Sequence, residues 1–346
     1  MASTPWLLLL FIAAAAASSR VLQARAQPDN KGFISIDCGF PGTTSYVDST
    51  TELSYASDAA FTDACSNYNI SVEYMKPQLL LSKRYHDLHS FPDGTRNCYT
   101  LRSLVPGLKY LLRTTFFYGN YDGLDKIPIF DLHIGVNFWR VVCLINTGTG
   151  MPFISGLDLR PLKKTMYPQV TAAQGLVLMT RLNLGPTDDS TFVRYPDDPY
   201  DRIWTPWVNM KIWTVISTKK RVQSIDNDFF EAPTAVMQTA IRPRDVTKNI
   251  EFSWDPEPQP NDPSPGTGPD GELWYPSGFM PTYLYIGATY NNLPSRHNSY
   301  NISINATGNS TLPPIINSVE IFSVISTTNL STYPQDGPSA CTFNRG

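Results

Sequence analysis

Gly32-Phe33-Ile34-Ser35-Ile36-Asp37-Cys38 alternates apolar and polar side chains and stops at Gly39. Successive side chains of an extended strand point to opposite faces, so this pattern reads as a strand with one apolar face. Four more runs have similar character: Leu108–Tyr118, which breaks at Gly119-Asn120, then Ile129–Val136, Trp207–Ser217 and Thr282–Ala288. Each is short and bounded by Gly, Pro, Asn or Asp. No long stripe of 3.6-residue period competes with them, because 29 prolines and 21 glycines interrupt nearly every window. The expectation is an all-β fold of sandwich type rather than a parallel α/β sheet.

An internal repeat predicts two domains of this kind. Pro152-Phe153-Ile154-Ser155-Gly156-Leu157-Asp158-Leu159 parallels Pro314-Ile315-Ile316-Asn317-Ser318-Val319-Glu320-Ile321, and each copy lies where the last strand of a domain would lie. The turn Gly185-Pro186-Thr187 reads as the linker. The resulting division is 27–187 and 188–331, with 332–346 as an unstructured tail. Residues 255–276 are polar and rich in Pro and Gly, as in an exposed loop.

Residues 1–26 have the layout of a secretory signal peptide. Leu7–Ile12 and Ala13–Ala17 form an apolar run, and Ala24-Arg25-Ala26 offers a small-x-small cleavage site before Gln27. The run is short for a bilayer span, which takes roughly 20 apolar residues. A secreted, extracellular chain is expected. Five sequons agree with that compartment and place N-glycosylation at Asn69, Asn301, Asn305, Asn309 and Asn329. The five cysteines, Cys38, Cys65, Cys98, Cys143 and Cys341, match no zinc spacing and read as disulfide partners with one thiol left over. Cys341, in the unpatterned tail, is the expected odd one.

Composition and motifs exclude several function classes. A net charge of −3 provides no field that selects nucleic acid. No GxSxG, HExxH or GxxxxGK[ST] motif occurs, and neither do the Gly-rich loop, HRD and DFG of a protein kinase. His86-x-x-His89 lacks the further ligands a metal needs, and no metal or cofactor is implied. The acidic group Asp188-Asp189 with Asp197-Asp198-Pro199-Tyr200-Asp201 has the residue types of glycoside hydrolysis or calcium binding, but Asp before Pro is also ordinary turn chemistry. No catalytic residue is assigned.

Phe116-Phe117-Tyr118-Gly119-Asn120-Tyr121-Asp122-Gly123 mixes rings with Asn, Asp and Gly. Rings stack on the apolar face of a pyranose, while amides and carboxylates bond its hydroxyls. The same residues also suit a sandwich core followed by a hairpin turn.

Several stretches resemble the malectin-like domains of plant receptor kinases. They are Phe33-Ile34-Ser35-Ile36-Asp37-Cys38-Gly39, Ser90 to Leu101, Tyr121-Asp122-Gly123-Leu124, Phe130 to Asn137, Cys143 to Gly148, Pro152 to Ser155, Leu159-Arg160-Pro161-Leu162 and Asp201-Arg202-Ile203-Trp204. The resemblance runs from about Gly32 to Asp336. It implies two tandem malectin-like β-sandwich domains, jelly-roll-like in topology, that recognise carbohydrate or peptide outside the cell. A cell-wall glycan, a secreted peptide and membrane receptor kinases are the implied partners. It also implies a ligand site at Tyr118, Tyr121 and Asp122, the positions nearest to the sugar-stacking aromatics of animal malectin. In that family leucine-rich repeats, a membrane span and a kinase follow the ectodomain; this sequence lacks them. Two joints depart from the pattern. Asn137-Phe138-Trp139 runs almost directly into Val142-Cys143-Leu144, and Pro260-Asn261-Asp262-Pro263 passes quickly to Trp274-Tyr275-Pro276. Each joint is expected to have lost sheet-forming sequence, leaving apolar faces and backbone groups without a neighbour.

Overall fold

The computed structural model describes residues 31–42, 44–62, 66–75, 82–101, 104–135, 141–186, 188, 192–225, 228–254, 280–291 and 300–328. The signal peptide, the tail, the loop 255–276, Cys65, Cys341, Asn329 and the joint at 136–140 lie outside them. The described residues form two compact units, one ending at Leu162 and the other running from Lys163 to Thr328. The stretch from Lys163 to Gly185, expected in the first domain, packs with the second.

The first unit contains β1 (Ile34–Asp37), β2 (Ser45–Val47), β3 (Ser54–Ser57), β4 (Asn67–Asn69), β5 (Asp87–Ser90) and β6 (Arg96–Thr100). It continues with β7 (Lys109–Thr115), β8 (Ile129–Gly135), β9 (Val141–Thr149), β10 (Phe153–Ile154) and β11 (Gly156–Leu162). One sheet has the order β2-β3-β1-β11-β7, a second β6-β9-β8 and a third β10-β5-β4. Ile34, Ile36, Leu157 and Leu159 of the first sheet meet Tyr99, Val142 and Leu144 of the second in one buried cluster, as in a sandwich. Cys98 and Cys143 stand opposite each other on β6 and β9 and form a disulfide. The free thiol among the described cysteines is the buried Cys38. Its alternation places it with Ile34 and Ile36 on the core face, where a cysteine serves as a small apolar residue.

The alternation of β1 predicts one wet face. The structure buries both: Ser35 and Asp37 are as enclosed as Ile34 and Ile36. Charge neutralises the polar side. Asp158, facing Ser35 across the β1–β11 pair, accepts from Arg84, Arg113 and Arg160 at 2.9–3.1 Å. Those guanidiniums hold its carboxyl far below the usual carboxylate range, against the opposing effect of burial.

The second unit contains β12 (Gln174–Leu184), β13 (Thr205–Trp207), β14 (Trp213–Ser217), β15 (Thr239–Pro243), β16 (Ile250–Trp254), β17 (Tyr300–Ile304) and β18 (Ser318–Ser326). Its sheets are β13-β12-β18, β14-β15 and β16-β17, around a core of Leu184, Trp213, Ile241 and Ile250. The run Trp207–Ser217 is two strands rather than one, because Asn209 accepts the backbone bonds of Ile212 and Trp213 in a turn. Thr282–Ala288 is no strand. Leu284 is left-handed, Tyr285 turns back onto Thr282, and a single bridge joins Tyr285 to Gln223.

Candidate functional site

The loop between β7 and β8 carries Tyr118, Tyr121 and Asp122, and its own polar groups shape it. Gly119, Asn120, Gly123 and Asp125 all have positive φ. A side chain at Gly119 would meet Ile70 at 2.5 Å, so only glycine fits there. Asn120 closes the loop by exchanging bonds with Asp125: its Nδ2 donates at 2.6 Å and its Oδ1 accepts from the backbone at 2.9 Å. The Asp122 carboxylate accepts from the Tyr118 hydroxyl and, at 3.1 Å, from the Leu124 backbone. Burial and that bond push the Tyr118 phenol up to about 12, so it remains a neutral donor at physiological pH.

Tyr121 lies deeper. Its hydroxyl bonds Ser90 Oγ at 3.1 Å and reaches the Met151 carbonyl at 3.4 Å. Its ring stands 5.5 Å from the buried Phe153, 5.7 Å from Tyr118 and 5.4 Å from Tyr68. The structure therefore brings the three expected residues together, in the turn-and-core arrangement that this stretch also suits. Tyr118 and Asp122 build a turn, while Tyr121 joins the aromatic cluster under β10.

Sequence reading missed Tyr68. It sits on β4, 39% exposed, between Asn67 and the exposed sequon residue Asn69. Pairing of β4 with β5 delivers it beside Tyr121 across 53 residues of chain. Asn-Tyr-Asn on an edge strand was the available signal. Asn301, Asn305 and Asn309 are exposed as well.

The other constellations are occupied by structural partners. Asp198 accepts from Arg202 Nε at 2.8 Å, Trp204 Nε1 at 2.7 Å and the Tyr200 backbone at 2.8 Å, while Asp201 holds Arg194. Both residues are fully buried. His89 is buried, with Nδ1 2.7 Å from Asp58. No group of three metal-ligating side chains occurs among the described residues.

The two units share one strand arrangement. In the first, β1 pairs in parallel with β3 and antiparallel with β11; in the second, β12 pairs in parallel with β13 and antiparallel with β18. The malectin-like domain model matches residues 36–142, 140–264 and 269–324. The chain belongs to the malectin-like family. Two leucine-rich repeat receptor-like protein kinases of Arabidopsis thaliana are each 35% identical, covering 88% and 90% of this chain. The chain spans only 39% of the length of each, the ectodomain portion. Among solved structures, the Arabidopsis ANX2 ectodomain has a TM-score of 0.51 at 17% identity, covering 64% of this chain and 70% of that one. The ANXUR1 extracellular domain gives 0.51 at 15%, covering 64% and 71%. At such identity these two establish the tandem malectin-like β-sandwich fold alone.

The family match breaks at 140–142 and again at 264–269, at the two joints where the sequence departs from the malectin-like pattern. The first alignment runs over 347 positions yet takes in 88% of a 346-residue chain, so the relative carries stretches with no counterpart here. Beside the first joint, β8 forms one end of the β6-β9-β8 order. Leu132 pairs with the fully buried Leu144 and so lies on the core side, yet it is 41% exposed. Among the described residues, this core-side position is open to solvent at the sheet's edge.

Proposed function

We propose that the chain is an extracellular ligand-recognition module of receptor-kinase type, without enzymatic activity, that takes a cell-wall glycan or a secreted peptide through the Tyr68–Tyr121 patch. The observation that carries this reading is the partly exposed Tyr68 ring, 5.4 Å from Tyr121, beside a loop with a spare carboxylate oxygen. Tyr68 and Tyr121 present ring surface. Tyr118 holds Asp122, and both Asp122 bonds use Oδ1, which leaves Oδ2 for a ligand hydroxyl or amide. Secretion behind residues 1–26, and glycans on Asn69, Asn301, Asn305, Asn309 and Asn329, belong to the same reading.

The test is a glycan array and a peptide-binding screen on the chain secreted from a eukaryotic host. Saturable binding that falls at least tenfold in Tyr68→Ala and Tyr121→Ala supports the patch. Binding unchanged in the double variant removes it.

A second reading, docking onto a membrane receptor kinase as a scaffold, is favoured by the edge at β8. Ile127, Ile129 and Leu132 are exposed there, and an edge strand offers backbone groups to a partner. Co-purification with a receptor ectodomain that Leu132→Asp abolishes, together with a blank ligand screen, would favour docking over ligand binding.

A further inference from the structure

Asp37 ends β1 and Asp87 opens β5, and both are buried. The chain passes so close to β5 after Asp37 that a Cβ on Gly39 would lie 2.3 Å from the Leu88 carbonyl carbon. The two carboxyl groups are within hydrogen-bonding reach of each other. Asp37 Oδ2 accepts from the Tyr46 hydroxyl at 2.6 Å, but Asp37 Oδ1 and Asp87 Oδ1 are buried without a donor. Two adjacent buried carboxylates with an undonated oxygen each is a costly arrangement; one proton between them removes a charge and supplies the missing donor.

The groups around the pair do not neutralise it. Tyr46 and Tyr55 come from β2 and β3, and Cys38 follows Asp37 just past the end of β1. Asp58 adds a third carboxylate, itself held by His89 and by Tyr99 at 2.8 Å. Asp158 is matched by its own arginines, Arg84 among them. Lys83 and His86 favour the Asp87 charge without outweighing its burial, and the Lys83 ammonium is seated over the Phe40 and Tyr46 rings at 4.5 and 4.2 Å.

The second unit provides an internal control. Asn183 stands two residues before Gly185 as Asp37 stands two before Gly39, on a strand with the same parallel and antiparallel neighbours. It is equally buried, and its Oδ1 accepts from Thr239 Oγ1 at 3.4 Å. Where one unit places a permanently neutral amide, the other places an acid.

We propose that Asp37 and Asp87 share one proton in the folded chain, which makes the first unit, and not the second, a proton-dependent fold that is tightest on the acid side of neutrality. Burial first, and then the Asp87 charge, raise Asp37 to about 9, and burial raises Asp87 as well. A raised folded-state value means that the stabilisation is complete below the ordinary carboxylate value near 4 and is lost as pH climbs toward 9. One proton sets the ceiling, a tenfold loss in the folding equilibrium per pH unit. β5 also carries Ser90, the partner of Tyr121, and pairs with the strand of Tyr68. Loss of the proton therefore loosens the strand that holds the aromatic patch; that last consequence rests on the ligand reading, and the stability effect does not.

The experiment uses the full secreted chain, Asp37→Asn and Asp87→Asn. Hydrogen exchange, corrected for intrinsic rates, follows β1 and β5 peptides against β12 peptides from pH 5 to 8, and infrared spectroscopy at pH 6 looks for the carbonyl band of a protonated carboxylic acid. The expected result is protection that falls with pH in β1 and β5 only, a flattened profile in Asp37→Asn, and a band that this variant loses. The same pH profile in wild type and Asp37→Asn, or no protonated-acid band at pH 6, overturns the proposal. If Asp37→Asn is not secreted, Asp87→Asn supplies the comparison, and the wild-type infrared band decides by itself. An unchanged pH profile with ligand binding intact would discard the shared proton while leaving the patch; the reverse would discard the patch alone.

Discussion

The two units build the same three-strand motif with different chemistry. In the first, the last strand places Asp158 among three arginines; in the second, the matching acid of the repeat, Glu320, meets Arg181 across the β12–β18 pair, with Tyr167 as a further donor. The second unit concentrates its buried charge elsewhere, on Asp198 and Arg202 under Trp204. Conserved topology thus does not require a conserved network. It requires that the acid entering the covered face meet opposite charge, three arginines at Asp158 and Arg181 at Glu320.

The largest expected effect breaks this comparison at its centre. Asp158→Ala leaves three guanidiniums, two of them fully enclosed, without their counter-ion, and should cost about 3–5 kcal/mol in the first unit. Glu320→Ala exposes a single arginine and should cost about 1–3 kcal/mol in the second. Denaturant unfolding with unit-specific exchange readouts measures both; equal losses would mean that the arginine count is irrelevant. The lowered Asp158 value also predicts acid lability. Its stabilisation is present above the ordinary carboxylate value and disappears as pH falls well below 4.

Next come the strand-end glycines. Gly39→Ala drives a Cβ into the Leu88 backbone and should cost about 3 kcal/mol, whereas Gly185→Ala meets the Thr239 side chain at 2.8 Å and should cost about half as much. Thermal unfolding of the two variants sharpens the comparison, and a reversed order would break it. The smallest effect is expected at Lys163–Glu231 in the second unit, where the lysine is 60% exposed: Lys163→Ala should change stability by less than about 1 kcal/mol, and less still in high salt.

Much of the strand content was legible because period-two alternation is a local property. Ile34 and Ile36 are in the core, and the repeat around Leu157 and Val319 marks the closing strand of each unit. What alternation could not convey was the second, charged layer that covers Ser35 and Asp37, because Arg84 and Arg113 come from elsewhere in the chain. The thiol shows a related limit: an odd cysteine count says only that one is left over, and the sandwich shows that Cys38 faces apolar neighbours, while Cys341, the expected odd one, lies outside the described residues. At the candidate site, the loop residues Tyr118, Tyr121 and Asp122 are close in sequence and could be grouped by eye. Tyr68 could not, since β4–β5 pairing alone brings it there. The joints, in contrast, were visible as departures from a family pattern before Leu132 showed a core-side position open to solvent among the described residues.

In each unit the first and last strands are antiparallel neighbours, so chain entry and chain exit lie at one end of the same pair: Ile34 beside Leu159, and Gln174 beside Ser326. Tension applied between Gln174 and Ser326 would load the cross-strand hydrogen bonds one after another, like a zipper, instead of all together in shear. Either sandwich pulled by its own ends should therefore yield at low force, starting at the strand pair that closes it.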